Sequence, residues 1–148
     1  MSTDDLIHTK TLFRRHSKGP VMFNGCSPAG DVIIIENISQ RKSYDLTGWY
    51  IERETDSQPY ILYVFKHRFI LPPMTTIELW SRSSTPTPIA SEAPDQTFVS
   101  VRTNLSSWNK ARLWSNTKLF DSTGREKAIF SHRTLTSDSI DLQTNASN

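Results

Sequence analysis

Apolar residues occur along the chain in short runs separated by turn-forming residues. Runs such as "VMFNGC", "DVIIIEN", "WYIERE" and "TTIELW" alternate with turn segments such as "SPAG" and "DLTG". Several runs follow a period of two, as Trp49 and Ile51 do against Tyr50 and Glu52, and none keeps the 3.6-residue period of a helix. Short strands at close spacing, bounded by Pro and Gly, predict an all-β sandwich or barrel with roughly seven to nine strands.

The stretch "LFDSTGREKAIF" predicts a β-hairpin, because Gly124 supplies a permissive backbone between two apolar strands. Alternation along "VIII" places Ile33 and Ile35 on one face of their strand, and Val32 and Ile34 on the other. The same reasoning predicts a core that includes Ile33, Ile35, Trp49, Ile51, Phe65, Phe69, Leu71, Leu79, Leu119 and Ile129.

Composition divides the chain into one folded unit with two polar flanks. Residues 1–18 predict a flexible N-terminal arm, residues 19–133 a folded domain, and residues 134–148 a disordered C-terminal tail rich in Ser, Thr and Asn. Subtracting residues 1–18 (+2) and residues 133–148 (−1) from the net charge of +2 leaves about +1 for residues 19–132. The charge balance therefore indicates no strongly electrostatic partner.

A reducing, intracellular setting fits the remaining composition. The single cysteine, Cys26, excludes an internal disulfide. The start, "MSTDDLIHTK", lacks the apolar run of a signal peptide, and no stretch approaches the roughly 20 apolar residues that cross a bilayer. We expect no membrane insertion and a location in the nucleus or the cytoplasm.

No pattern in the sequence points to catalysis. The four histidines are widely spaced, and no set of His, Cys, Asp and Glu has metal-ligand spacing. Cys26 lies beside a turn without a partner base, so we interpret it as a strand-end residue. Glu36, Glu52 and Glu54 are typical of a solvated strand face and not of an acid–base pair. We expect no catalytic residue, no metal, no cofactor and no small-molecule substrate.

Three features are candidates for recognition or regulation. Trp108 and Trp114 flank a polar loop, where they either cap the end of the sandwich or form a protein-contact surface. Val32 and Ile34 form an apolar pair that is either covered by the loop "SRSSTPTPIASEAPDQ" or left as a docking surface. Ser17, in "FRRHSK", resembles a basophilic kinase site.

Basic residues are the raw material for an alternative function, nucleic-acid binding. They occur in four small groups, namely Arg41 with Lys42, Lys66 with His67 and Arg68, Lys110 with Arg112, and Arg125 with Lys127. Binding to phosphates favours a clustered basic stripe, whereas acidic residues are interspersed here. The sequence therefore favours a protein partner, with DNA or chromatin as the weaker alternative.

Five stretches, read in order, resemble the lamin tail domain, the immunoglobulin-like module of nuclear lamins and some cytoplasmic intermediate filament proteins. "SPAGDVIIIENIS" is similar to the family's turn and strand, and "DLTGWYIERE" to its "GxWxIKR" strand. "YVFKHRFILPPMTTIELW", "SSW" and "LFDSTGREKAIF" match its later blocks. The departures are "PPM" in place of a glycine turn, and "WNKARLWSN" without the glycines that often follow the loop tryptophan.

The resemblance implies an immunoglobulin-like antiparallel β-sandwich with Trp49 in its core. It also implies a non-catalytic structural module that binds partner proteins of the nuclear or filament scaffold, at the nuclear envelope or in the cytoplasm, with a link to chromatin in lamins. No heptad rod precedes the domain in this sequence, so we expect either a stand-alone lamin tail domain protein or a short product or fragment of a larger protein.

Overall fold

The computed structural model describes residues 9–27, 29–57, 60–84 and 97–136. Within these residues the chain forms eleven β-strands. In chain order they are β1 Thr9–Ser17, β2 Val21–Cys26, β3 Val32–Asn37, β4 Tyr44–Asp45, β5 Tyr50–Thr55, β6 Ile61–Val64, β7 Ile70–Leu71, β8 Thr75–Trp80, β9 Thr97–Arg102, β10 Trp114–Phe120 and β11 Glu126–Thr136.

Two sheets form the sandwich. The five-stranded sheet has the order β1-β11-β10-β5-β6, the four-stranded sheet the order β2-β3-β8-β9, and β4 pairs separately with β7. The predicted all-β, immunoglobulin-like sandwich is confirmed. One pairing departs from the antiparallel prediction, because β9 runs parallel to β8. A parallel neighbour requires a long crossover, which residues 81–96 supply.

Alternation along the strands builds the core. Ile33 pairs with Leu79 and Ile35 with Ile77, and all four side chains are buried between the sheets. Of the predicted core residues, eight are buried, and Phe69 packs half-buried against the same cluster. The assignment of Ile129 was wrong: on β11 it is Ala128 and Phe130 that are buried. The inward direction is set by the pairing of Leu119 with Ala128, so Ile129 faces outward.

The Thr-Gly turn before Trp49 starts a central strand. Asp45 accepts hydrogen bonds from the backbone N–H and the hydroxyl of Thr47, and Gly48 takes a positive φ of 83°. The N–H of Gly48 then donates to the carbonyl of Phe65 at 2.8 Å. This turn places the Trp49 side chain in the core, where only 8% of its surface is exposed.

The boundaries predicted for the flanks need correction. Residues 9–17, assigned to a flexible arm, form strand β1, which pairs along its whole length with β11. β11 itself continues to Thr136, three residues beyond the predicted end of the domain at residue 133. Composition missed β1 because backbone pairing, and not side-chain burial, holds it in place. It missed the end of β11 because Leu135, which is buried, is an isolated apolar residue in a polar stretch. Residues 1–8 and 137–148 lie outside the described residues.

Candidate functional site

Among the residues that the structure describes, the possible metal ligands and the reactivity of Cys26 bear on any chemistry of the interior. In those ranges, no group of three or more His, Cys, Asp and Glu residues could hold a metal ion. Burial raises the pKa of the Cys26 thiol to about 12, and the nearby Arg53 charge only partly opposes this effect. The thiol is therefore protonated at neutral pH and is a poor nucleophile. The same ranges contain no helix long and apolar enough to cross a bilayer.

A cleft of about 610 Å³ opens where an edge of each sheet meets the other. Its walls are residues 62–69, which continue from edge strand β6, and residues 101–105, which follow edge strand β9. We call it the β6–β9 cleft. Its rim is basic, with exposed side chains at Lys66, His67, Arg68 and Arg102. No Asp or Glu is among the described residues that line it.

Apolar and aromatic side chains form the floor of the β6–β9 cleft. The rings of Tyr63 and Phe65 meet edge to face with centroids 5.3 Å apart, and the rings of Phe65 and Phe69 lie 5.5 Å apart. Leu62 is 48% exposed at the rim, and Val101 and Leu105 pack half-buried against the core. Burial raises the pKa of Tyr63, so its hydroxyl stays neutral under physiological conditions.

Trp108 supports this floor from inside the protein. Its side chain is fully buried, its ring lies 5.6 Å from that of Tyr63, and its indole N–H donates to the carbonyl of Leu79 at 2.8 Å. The interpretation of Trp108 as a protein-contact residue is therefore wrong, and the alternative, that it caps the sandwich, fits its position. Its indole bridges the loop to β8 and leaves no ring surface for a partner.

Arg53 is the polar centre of the sandwich and was not singled out from the sequence. The side chain is 1% exposed and lies on the inward face of β5. It donates from Nε to the carbonyl of Trp108 and from Nη1 to the hydroxyl of Thr117, each at 2.7 Å. Longer bonds from Nη2 reach the carbonyls of Ser27 and Asn109. Burial lowers the pKa of Arg53, and the dipoles of these oxygen atoms stabilise its positive charge in place of water.

Asn37, the last residue of β3, is a second buried polar side chain that bonds several loop carbonyls. Its amide is buried and donates to the carbonyls of Lys42, Leu71 and Pro72, while its side-chain oxygen accepts from the N–H of Ser39. The asparagine of the "Asn-x-Ser" stretch therefore ties a loop to β7. These bonds fix the turn that precedes β8.

Val32 and Ile34 lie on the outward face of β3, as predicted, and both are half-buried. Their partners on β8 are more enclosed, with Trp80 9% and Glu78 2% exposed. Glu78 Oε1 accepts from the hydroxyl of Ser100 at 2.7 Å. The low exposure of these four side chains favours the alternative in which Val32 and Ile34 are covered, and not the one in which they form an open docking surface. The loop considered as the cover includes residues 85–96, which lie outside the described residues.

The two remaining candidate residues lie on the other sheet. Trp114, at the start of β10, is 36% exposed and lines a groove with Leu12 and Arg133. Ser17 is the last residue of β1, and its hydroxyl donates to the carbonyl of Gly19 at 3.0 Å. Protein contact by Trp114 and phosphorylation of Ser17 both stay predictions.

The comparisons with known proteins agree with this architecture. The family model described as Lamin Tail Domain matches residues 14–136. The chain is 34% identical over 74 residues to the muscle cell intermediate filament protein OV71 of Onchocerca volvulus, covering 50% of this chain and 17% of that protein. It is 30% identical over 76 residues to intermediate filament protein ifa-3 of Caenorhabditis elegans, covering 51% and 13%. It is also 30% identical over 74 residues to intermediate filament protein A of Ascaris suum, covering 50% and 15%.

The matched segment is thus less than a fifth of the length of each of these relatives. The family match, in contrast, spans most of this chain, from the middle of β1 to the end of β11. The resemblance drawn from the five sequence stretches is confirmed by it, and so is the structural character that the family implies. The chain belongs to the lamin tail domain family.

Proposed function

We propose that this domain is a non-catalytic interaction module that binds partner proteins of the nuclear or filament scaffold through the β6–β9 cleft. The observation that carries the proposal is the mixed lining of the cleft. Apolar side chains of Leu62, Val101 and Leu105 line the same cleft as the exposed basic side chains of Lys66 and Arg68. An apolar centre within a polar rim is the usual anatomy of a protein interface.

The alternative function, binding to nucleic acid, is supported by the same basic rim. Phosphate contacts alone require no apolar floor, and base stacking requires exposed aromatic rings. The rings in this cleft are only partly accessible: Phe65 is 3% exposed, and Tyr63 and Phe69 are half-buried. These features favour an acidic protein segment over DNA or chromatin.

The relatives give the proposal its setting. They are named as intermediate filament proteins, a class of intracellular scaffold, which supports an intracellular location for this chain. The choice of the nuclear envelope or the cytoplasm, and of a particular scaffold partner, belongs to the proposal. Both locations supply filaments with which such a module would associate.

Co-sedimentation with reconstituted intermediate filaments tests the proposal. The cleft variant carries Lys66→Glu and Arg68→Glu, which reverse two rim charges without touching the buried floor. The control variant carries Arg125→Glu and Lys127→Glu on the β10–β11 hairpin and makes the same change in net charge. We expect the cleft variant to lose filament binding by about tenfold or more, with melting temperatures of all three proteins nearly equal.

A salt titration with duplex DNA is run beside the sedimentation assay. Equal filament binding by the cleft variant and the wild type would contradict the assignment of the cleft. Sub-micromolar DNA affinity at physiological ionic strength, with a steep dependence on salt, would replace the protein partner with the nucleic-acid alternative.

A further inference from the structure

Among the described strands, none pairs with one long edge of the five-stranded sheet, the outer edge of β1. Strand β1 pairs with β11 on one side and is the terminal strand on the other. It has nine residues, and every side chain from Thr9 to His16 is exposed, with Phe13 at 60% and Leu12 at 41%. Exposed edges of this length are normally shortened, bulged or covered, since they are templates for another strand. The described part of β1 pairs with β11 without a register shift.

The register identifies which backbone groups point outward. The N–H of Lys18 donates to the carbonyl of Lys127 at 2.9 Å, so this pair is a hydrogen-bonded one. Hydrogen-bonded pairs alternate along an antiparallel ladder, and Leu12, Arg14 and His16 therefore bond to β11. The N–H and C=O groups of Thr11, Phe13 and Arg15 consequently face the free edge.

The charge of β1 selects the kind of strand that fits there. Residues 9–18 contain Lys10, Arg14, Arg15 and Lys18 and no Asp or Glu. A second copy of β1 pairing antiparallel with the first would bring the cations of both copies onto one short ladder, where like charges repel. An acidic strand places opposite charges across the new ladder. Charge complementarity thus favours a different, acidic segment over a homodimer.

A groove beside β1 offers a site for an apolar side chain of that segment. Leu12, Arg133 and Trp114 lie in one cross-strand row on the outward face of β1, β11 and β10. They line a groove of about 700 Å³ together with Arg14. On an added strand, an apolar side chain on the outward face would contact Leu12 at the near end of this groove, beside Arg14. Its sequence neighbours point to the opposite face, where acidic side chains would meet Arg15.

We propose that the free edge of β1 binds an extended acidic segment of a partner protein as an additional β-strand. Backbone hydrogen bonds to Thr11, Phe13 and Arg15 supply affinity, and the basic side chains together with Leu12 supply specificity. Leu12 and Phe13 precede the matched family region, which begins at residue 14. β1 and β6 are opposite edges of the same sheet, so this surface is independent of the β6–β9 cleft.

A labelled nine-residue peptide in which Glu alternates with Val and Leu is a suitable probe, matched in length to β1. Its binding is measured by fluorescence anisotropy beside a peptide with Lys in place of Glu. The Phe13→Pro variant removes an outward N–H and keeps the ladder to β11, because proline is tolerated on the open side of an edge strand. We expect it, and an Arg14→Glu with Arg15→Glu variant, to bind the acidic peptide at least about tenfold more weakly than wild type. The Arg125→Glu with Lys127→Glu variant is the charge-matched control and should bind like wild type.

Amide shifts of the wild-type protein provide a second measurement that does not depend on any variant folding. Bound acidic peptide should perturb the N–H signals of Thr11, Phe13 and Arg15 more than those of Leu12 and Arg14. Equal binding of the Lys peptide, equal binding by Phe13→Pro, or tighter binding of duplex DNA than of the peptide would each overturn the proposal. Dimerisation through β1 in sedimentation would overturn it as well, in favour of self-association.

Discussion

The guanidinium of Arg53 on β5 donates from Nε to the backbone carbonyl of Trp108 at 2.7 Å, across the interior of the sandwich. This bond links a central strand to the loop whose tryptophan supports the floor of the β6–β9 cleft. The shape of a surface feature thus depends on a side chain that is itself 1% exposed. An interaction at the cleft is consequently sensitive to substitutions far beneath it.

Replacing Arg53 with leucine should destabilise the domain by roughly 3–5 kcal/mol. The carbonyl of Trp108 and the hydroxyl of Thr117 would lose a buried, charged donor, and removing one partner of a buried polar network is costly. Urea unfolding followed by tryptophan fluorescence measures the change. Arg125→Leu, at an exposed position on the β10–β11 hairpin, is the control and should shift the midpoint little. Similar midpoints for the two variants would contradict a structural role for Arg53.

Trp49→Ala should cost roughly 3–5 kcal/mol, the usual range for truncating a core aromatic side chain. The indole is 8% exposed and belongs to the main core cluster. Against a typical total of about 5–15 kcal/mol, this loss brings the domain close to unfolding. Differential scanning calorimetry provides the test, with Trp114→Ala, at the more exposed tryptophan, as the comparison. A melting temperature for Trp49→Ala within a few degrees of wild type would refute its core role.

Gly48→Ala should destabilise the domain by about 1 kcal/mol or more, because Gly48 has a φ of 83° that residues with a Cβ adopt at a cost. A Cβ built at this position would also lie 3.1 Å from the Cβ of Ser122. Gly25→Ala is the matched control, since a Cβ there meets nothing within 4 Å. Thermal unfolding of the two variants should separate them clearly. Equal stabilities would show that the turn does not require glycine.

Stability should fall as the pH drops below about 6.5, the ordinary pKa of histidine. Burial and then the charge of Arg53 lower the pKa of His132, which is 5% exposed and lies 3.1 Å from the Ser115 hydroxyl through Nδ1. As the pH falls from about 6.5 toward the lower pKa of folded His132, the unfolded chain takes up the proton before the folded chain does. The stability that neutral His132 contributes is therefore lost over this pH range. Urea midpoints measured from about pH 7.5 to pH 5 should fall less steeply in His132→Gln than in wild type. His67→Gln, at an exposed loop position, should keep the wild-type slope.

The fold was predictable because its signals are local. Alternation predicted that Ile33 and Ile35 lie in the core, and the Thr-Gly turn predicted the start of the strand next to Trp49. Features that depend on distant partners were not predictable. Arg53 lies between two glutamates on its strand and looks like a surface residue until the loop around Trp108 closes over it.

Neither the β6–β9 cleft nor strand β1 was predicted from the sequence, and the reasons are related. Arg102 joins Lys66 and Arg68 at one rim only because edges of two different sheets meet there. Strand β1 is polar and exposed, so composition marked it as an arm, and its order comes from backbone hydrogen bonds that no composition records. The sequence left two alternatives open for Trp108, because a tryptophan beside a polar loop gives the same signal whether its ring points inward or outward.

The pairing of β1 with β11 also sets the order of events during folding. Thr9 lies opposite Thr136, so the strands that close this edge of the sheet are nearly the full described chain apart in sequence. During synthesis β1 precedes the other described strands and β11 follows them, so β1 cannot pair with β11 until all eleven of these strands have been made. Contacts of such long range slow folding into the millisecond-to-second regime typical of β-sandwiches. The basic side chains of β1 protect it until β11 has been made, because repulsion among these cations opposes pairing between the β1 strands of two nascent chains.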